Sequence, residues 1–257
     1  MTSRIAKLEL FDANCMLGRI IAPKPEFPLS VDALVATMDD FEIGEALVYH
    51  ASSKEFHPAD GNRLLLEEIA SCRRLHAMWV VMPSHTGEFP GGPGLVDEML
   101  ARGVRAARVF PHPDLHNFSL RAWCSGELLA WLERRRVPLF VDQEQLDWDT
   151  VHELCAGHPA LPVVLTNVNY RVDRYLYALW EKFANLHVEI SSYCGHRQIE
   201  AAVERFGADR LLFGTRLPYF TPGSAVAMLS YAAIGDGDRK RIAGDNLRRL
   251  LEGVVKR

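Results

Sequence analysis

Short runs of β-branched or wholly apolar residues alternate along the chain with longer stretches whose apolar positions recur at helical spacing. Eight runs read as strands: Leu8–Asn14, Ala46–His50, Ala77–Met82, Ala106–Phe110, Leu139–Asp142, Val163–Asn167, Val188–Ser191 and Leu211–Thr215. Several, such as Trp79-Val80-Val81-Met82, are continuously apolar, as expected of strands covered on both faces. Start and stop signals delimit the helices between them: Ser30 before Val31–Phe41, Asp60 before Leu64–Ala70, Pro93 opening a segment that Gly103 stops, and Ser125 before Leu128–Arg135. Further helices follow Asp147, Asp173 and Gly195, two of them ending at Gly157 and Gly207, where glycine relieves the left-handed turn.

Eight such units in 257 residues leave about 32 residues each, close to the (β/α)8 barrel of ~250 residues. The expected fold class is α/β, a TIM barrel formed by residues 1–257 as one domain. A doubly wound sheet would advertise a glycine-rich turn after its first strand, and here that turn is Asn14-Cys15-Met16-Leu17-Gly18. The chain also has no phosphate-binding Walker loop and no G-x-S-x-G nucleophile elbow. The cluster Phe89-Pro90-Gly91-Gly92-Pro93-Gly94 reads as a loop and not a domain boundary.

Composition narrows the class further. Hydrophobic residues at 48% and charged residues at 24% exclude a disordered or fibrous chain. A formal charge of −4 without a long basic tract leaves no footprint for nucleic acid or an anionic membrane, and Arg134-Arg135-Arg136 reads as a solvated helix face. The five cysteines are odd in number and lack a C-x-x-C pair, which suits reduced thiols in the cytoplasm. The opening residues lack the apolar core of an export signal.

The first strand, Asp12-Ala13-Asn14-Cys15-Met16-Leu17-Gly18, resembles the D-x-H-x-H-x-G opening of the amidohydrolase-related TIM barrels, amidohydrolase 2 type. Gly103–Pro111 resembles that family's fourth strand, His158–Leu165 its sixth, and Arg210–Pro218 its eighth with the G-[ST]-D-x-P pattern. Ile242–Leu251 resembles its terminal helix, with Asn246 at the usual asparagine. The resemblance implies a metal-dependent hydrolase, or a non-oxidative decarboxylase of the aminocarboxymuconate-semialdehyde type, with ligands at the carboxyl ends of strands one, five and eight. This chain departs at every such place: Asn14 and Met16 replace the first-strand histidines, Asp142 the fifth-strand histidine, Asn167 the sixth, and Arg216 the eighth-strand aspartate.

An amide and a thioether make a poor shell for zinc, and a guanidinium that cannot lose its proton repels a divalent cation. The expectation is therefore no metal and no cofactor, with Asp142 and Arg216 facing each other across the mouth so that an Arg fork stands in for the cation. Those two are the candidate catalytic residues, Asp142 moving a proton and Arg216 holding an anion; the bland alternative is that they only fill an obsolete cavity. Candidate substrate contacts are Asn14, Met16, His50, Arg108, His112, Asn167 and Tyr219. A metal that lowers the pKa of water from ~15.7 to about 7 gains roughly 12 kcal/mol in forming hydroxide. General-base catalysis supplies ~10²–10⁴-fold, so a reactive lactone or a decarboxylation is within reach and an unactivated amide is not. The chain reads as a metal-independent hydrolase or decarboxylase for a small carboxylate or carbonyl compound. The other reading is an inactive barrel serving as a binding or partner subunit, and a second copy of the chain remains open as a partner.

Overall fold

The computed structural model describes residues 8–256; the reading of the opening residues as free of an export signal falls outside them for residues 1–7. The strands are β1 (Leu10–Leu17), β2 (Ile43–His50), β3 (Leu75–Ala77), β4 (Trp79–Val80), β5 (Ala107–Val109), β6 (Leu139–Asp142), β7 (Val163–Thr166), β8 (Leu186–Glu189) and β9 (Leu211–Leu212). All neighbouring pairs are parallel, in the order β1-β2-β3 and β4 through β9. The third stave carries both β3 and β4: Met78 N–H still donates to Val48 O at 2.8 Å, whereas Trp79 N–H has turned to Ala106 O at 3.1 Å. At the seam Ala13 N–H donates to Phe213 O and Met16 N–H to Leu217 O, each at 2.9 Å. Eight parallel staves thus close into a (β/α)8 barrel, with all eight sequence-derived strands in place.

The helices are α1 (Val31–Asp40), α2 (Ala51–Glu55), α3 (Pro58–Ile69), α4 (Pro93–Ala101), α5 (Ala122–Arg134), α6 (Trp148–Gly157), α7 (Asp173–Trp180), α8 (Gln198–Phe206), α9 (Pro222–Tyr231), α10 (Asp236–Lys240) and α11 (Asn246–Glu252). Ser30 accepts from Ala33 N–H at 3.3 Å and Asp147 from Thr150 N–H at 2.6 Å, the capping bonds those residue types favour. Two starts, those of α3 and α5, differ from the sequence reading, while α8 follows Gly195 as expected. α3 begins before Asp60, with Pro58 in its first turn and the His57 ring accepting the Asp60 amide. Ser125 lies inside α5, its hydroxyl donating to Ser119 O at 2.5 Å, and Gly195 precedes α8 with its amide bonded to the Gln198 side chain. The terminal segment is a π turn, Arg241–Asp245, leading into α11, where buried Asn246 donates to Ala208 O and Leu211 O at 2.8 Å. Among the described residues no helix is long and apolar enough to cross a membrane.

Strand periodicity divides the core in two. Val109, Val141, Leu165, Val188 and Leu211 face the helices, while Phe110, Phe140, Val164 and Leu212 pack inside the barrel. The same inward phase delivers Arg108, Asp142, Thr166 and Glu189 to the interior, where all four are buried. The site follows from those polar intrusions.

Candidate active site

At the centre of the mouth stands Arg108 of β5, 1% exposed. One of its terminal nitrogens donates to Asp142 Oδ1 and to Thr166 Oγ1 at 3.1 Å; the other donates to Asn14 Oδ1 at 3.0 Å. Thr166 Oγ1 in turn donates to Asp142 Oδ1 at 2.5 Å. The guanidinium carbon lies 4.6 Å from the Tyr49 ring centre and 5.1 Å from that of Phe110, so the group is both packed against aromatic carbon and hydrogen-bonded through its terminal nitrogens. Burial alone would raise the Asp142 carboxyl's pKa, but the charge of Arg108, the Thr166 hydroxyl and the charge of Arg216 outweigh it and hold it below the ordinary aspartate value.

Asn14 passes the network across the barrel, its amide donating to Glu189 Oε2 at 2.8 Å. The ladder shifts register between Asp12 and Cys15, so simple alternation breaks there and an extra residue re-aims this part of β1. Glu189 also accepts from the Ser191 amide at 2.5 Å and hydroxyl at 2.9 Å. Gly214 makes room for this carboxylate: a Cβ there would lie 2.4 Å from Glu189 Oε1. Burial pushes Glu189 up to about 7, and burial likewise raises Asp12. Asp12 Oδ1 accepts from the amides of Asn14 and Thr215 at 2.9 and 3.0 Å, and its other oxygen accepts the Thr215 hydroxyl. Cys15, between Asn14 and Met16, is fully buried with its thiol pKa raised well above normal by burial, which makes it inert.

The expected pairing of Asp142 with Arg216 is corrected: the fork on Asp142 is Arg108. Asp142 lies on the inward phase of β6 beside Arg108 on β5, whereas Arg216 leaves the end of the last stave in the left-handed region at φ 60 and reaches Glu144 at 3.5 Å. Arg216 is half-buried against the Tyr219 and Phe220 rings, and its Nε is buried without a partner. Asn167 also sits at positive φ, 54, with Oδ1 buried and unpartnered. Tyr219 lies over the mouth, its hydroxyl 3.9 Å from Met16 Sδ and 3.5 Å from the Lys54 ammonium, with Phe27 edge-on to its ring.

Two candidate contacts lie elsewhere. His50 ends β2 but caps α2, its Nδ1 accepting the Ser52 amide at 3.1 Å and its Nε2 facing Glu68 at 3.5 Å. Gly18, at φ +85, covers that ring so closely that a Cβ would stand 2.3 Å from Nε2. His112 is on a surface turn, accepting the Asp114 amide at 3.2 Å. The neighbouring His116 points inward instead, edge-on to Phe110 and donating from Nε2 to Lys54 O at 3.1 Å.

The amidohydrolase resemblance implies a catalytic metal, and the donor chemistry does not suit one. Where a cation would sit, a guanidinium already spans Asp142 and Asn14, and the remaining positions offer a thioether and carboxamides. Among the described residues no three His, Cys, Asp or Glu side chains gather as a metal site. Of the polar residues at the mouth, sequence reasoning missed Glu189, Thr166 and Lys54. Glu189 had a usable signal, a carboxylate in the inward phase of the apolar stave Leu186–Ile190. Lys54 had none, because nothing local tells which way a lysine on a five-residue helix points.

Comparison with solved structures places this architecture among known barrels. An uncharacterized TIM-barrel protein from Bordetella bronchiseptica superposes with TM-score 0.75 at 16% identity, over 96% of this chain and 99% of that one. A 2,6-dihydroxybenzoate decarboxylase from Rhizobium gives 0.73 at 17% identity, over 95% and 99%. A 5-carboxyvanillate decarboxylase from Sphingomonas paucimobilis gives 0.70 at 14%, again over 95% and 99%. No curated protein sequence matches the chain significantly. A family model described as amidohydrolase, of the amidohydrolase-2 type, matches residues 29–253. That match spans most of the chain, from the loop before α1 to the end of α11, and the protein belongs to the amidohydrolase family.

Proposed function

We propose that this barrel is a metal-independent enzyme that decarboxylates a small carboxylate compound at the mouth, with Arg216 as the anion holder. One observation carries the reading: three cationic side chains, Lys54, Arg108 and Arg216, surround Asp142, and Arg108 alone is committed to it. Arg216 keeps a buried, unpartnered Nε and only a solvent-facing bond to Glu144, so an incoming carboxylate meets a fork ready to bind it. Asn167 Oδ1 and the Tyr219 hydroxyl add an acceptor and a donor at the same rim. Asp142, held ionised by Arg108, serves as proton acceptor and not as acid. Carbon–carbon cleavage suits this set better than hydrolysis, since removal of CO2 needs no activated water and no described residue here prepares hydroxide. The structural likeness to two decarboxylases agrees with the choice of reaction class.

The test is CO2 release from a panel of β-keto acids and hydroxybenzoic acids with a strong chelator present. Turnover that is insensitive to the chelator supports the reading; turnover only after Mn²⁺ or Zn²⁺ is added overturns it. A second reading, a barrel that holds an anion without transforming it, is favoured by the depth of Met16 and Asp142 beneath Tyr219. Saturable binding of benzoate or malonate with no turnover of any acid would select it.

A further inference from the structure

Lys54 is a cation at the mouth to which neither the metal-site positions nor the proposed Arg216 contact gives a chemical role. It leaves α2, directly after β2, and extends over the interior so that its ammonium lies 5.5 Å from the ring centres of both Phe110 and Tyr219. Among the described residues its only polar side-chain partner is the Tyr219 hydroxyl at 3.5 Å, and no carboxylate pairs with it. The backbone beneath is pinned, with His116 Nε2 donating to Lys54 O and the Glu55 carboxylate drawn away to the Ile21 amide at 2.7 Å. Arg216 flanks the same Tyr219 ring, its guanidinium carbon 5.8 Å from the ring centre. A long amine between two aromatic faces, beside two guanidinium groups and without an acid of its own, is in the setting that turns lysine from a charge into a nucleophile. Burial lowers its pKa, Asp142 pulls the other way, and Arg108 and Arg216 push it down again.

We propose that Lys54 is a covalent nucleophile that forms an iminium with the ketone of a small β-keto acid whose carboxylate rests on Arg216. This rests on the decarboxylase reading and supplies the electron sink that reading lacks. The neutral amine adds to the ketone carbon, and the carbinolamine hydroxyl takes up a proton from solvent and leaves as water, giving a C=N⁺ bond. When the bond between the α-carbon and the carboxylate breaks, its electron pair flows to that nitrogen, CO2 departs and an enamine remains. The enamine carbon takes a proton from solvent, and one water hydrolyses the resulting iminium, releasing the ketone and one proton and restoring the neutral amine. One water leaves and one returns, two protons are taken up and one is released, so the turnover consumes one solvent proton and no oxidant or metal enters the balance. The aromatic sandwich excludes bulk water while the amine keeps a partly open side for the substrate.

The experiment is borohydride trapping. The wild-type chain is mixed with acetoacetate, or with 3-oxoglutarate, then reduced with sodium borohydride, digested and mapped by mass spectrometry. The expected result is a reduced ketone adduct on the Lys54 peptide, absent when the keto acid is omitted, and CO2 release that falls to the buffer rate in both Lys54→Met and Lys54→Arg. Because trapping uses the unaltered chain, a variant that fails to fold does not blunt it. No adduct on Lys54, or adducts only on exposed lysines such as Lys240, overturns the proposal. Chelator-insensitive CO2 release that survives in Lys54→Met overturns the lysine assignment and leaves the decarboxylase reading standing. A Lys54 adduct in a protein that releases no CO2 from any acid does the reverse.

Discussion

Two arginine–carboxylate pairs stand within one barrel mouth and behave as opposites. Arg108 and Asp142 have side chains 1% and 9% exposed, share Thr166, and are roofed by Tyr49 and Phe110. Arg216 and Glu144 are 27% and 64% exposed, meet at 3.5 Å and share no third partner among the described residues. Coulomb attraction is screened by water at the outer pair and hardly at the inner one, but the inner charges also lost far more hydration on burial. The inner arginine is therefore fixed by what its removal would strand, and the outer one is free to exchange Glu144 for a ligand.

Breaking the inner pair should produce the largest effect. Arg108→Met strands Asp142 and Asn14 in the interior and should cost ~3–5 kcal/mol in urea unfolding. The double variant Arg108→Met/Asp142→Leu should recover much of that loss, because two apolar residues leave no charge unpaired. A double variant as unstable as the single one would contradict the assignment of the pair.

The far end of the same network should show itself in pH. Glu189 has a folded pKa pushed up to about 7 from 4.5, so the folded state binds its proton more tightly than the unfolded chain. Its stabilising share is complete below pH 4.5 and declines as pH rises to about 7. Subtracting the melting profile of Glu189→Gln from that of wild type should leave this falling slope; a difference that is flat over the window would mean Glu189 titrates normally. Asp142 acts with the other sign, its lowered pKa giving a share present above 3.8 and lost as pH falls through the folded value.

At the outer pair the effects move from stability to binding. Arg216→Gln should shift stability by no more than ~1 kcal/mol, yet weaken benzoate or malonate binding about tenfold or more by calorimetry, as loss of a charge-assisted fork predicts. Glu144→Gln should be smallest of all, within ~1 kcal/mol in stability, with anion affinity unchanged or raised because the competitor for Arg216 is gone.

The barrel was legible because eight apolar runs and their caps report a local period, and a parallel stave needs little beyond that period to be recognised. The placement of Asn14, Met16, Asp142, Asn167 and Arg216 on or just past the staves was legible for the same reason, being read at fixed places on the chain. Partnership was not. Arg108 and Arg216 both end near Asp142 in sequence logic, and the choice between them depends on stave phase and on the left-handed turn at Arg216, which is a tertiary outcome. His50 misled because a stave end and a helix cap coincide there, and the cap took the imidazole.

The seam where β1 meets the last stave has a consequence for synthesis. Its bonds, Ala13 to Phe213, Met16 to Leu217 and the Asp12 carboxylate to Thr215, join residues about two hundred positions apart, the Asp12–Thr215 contacts spanning 203. A chain emerging from the ribosome cannot close the cylinder until its final stave is out, so Asp12 and Asn14 spend most of translation without their full set of partners. The nascent barrel is then an open trough with a wet polar lining, and it becomes a sealed interior only in the last act of its own making.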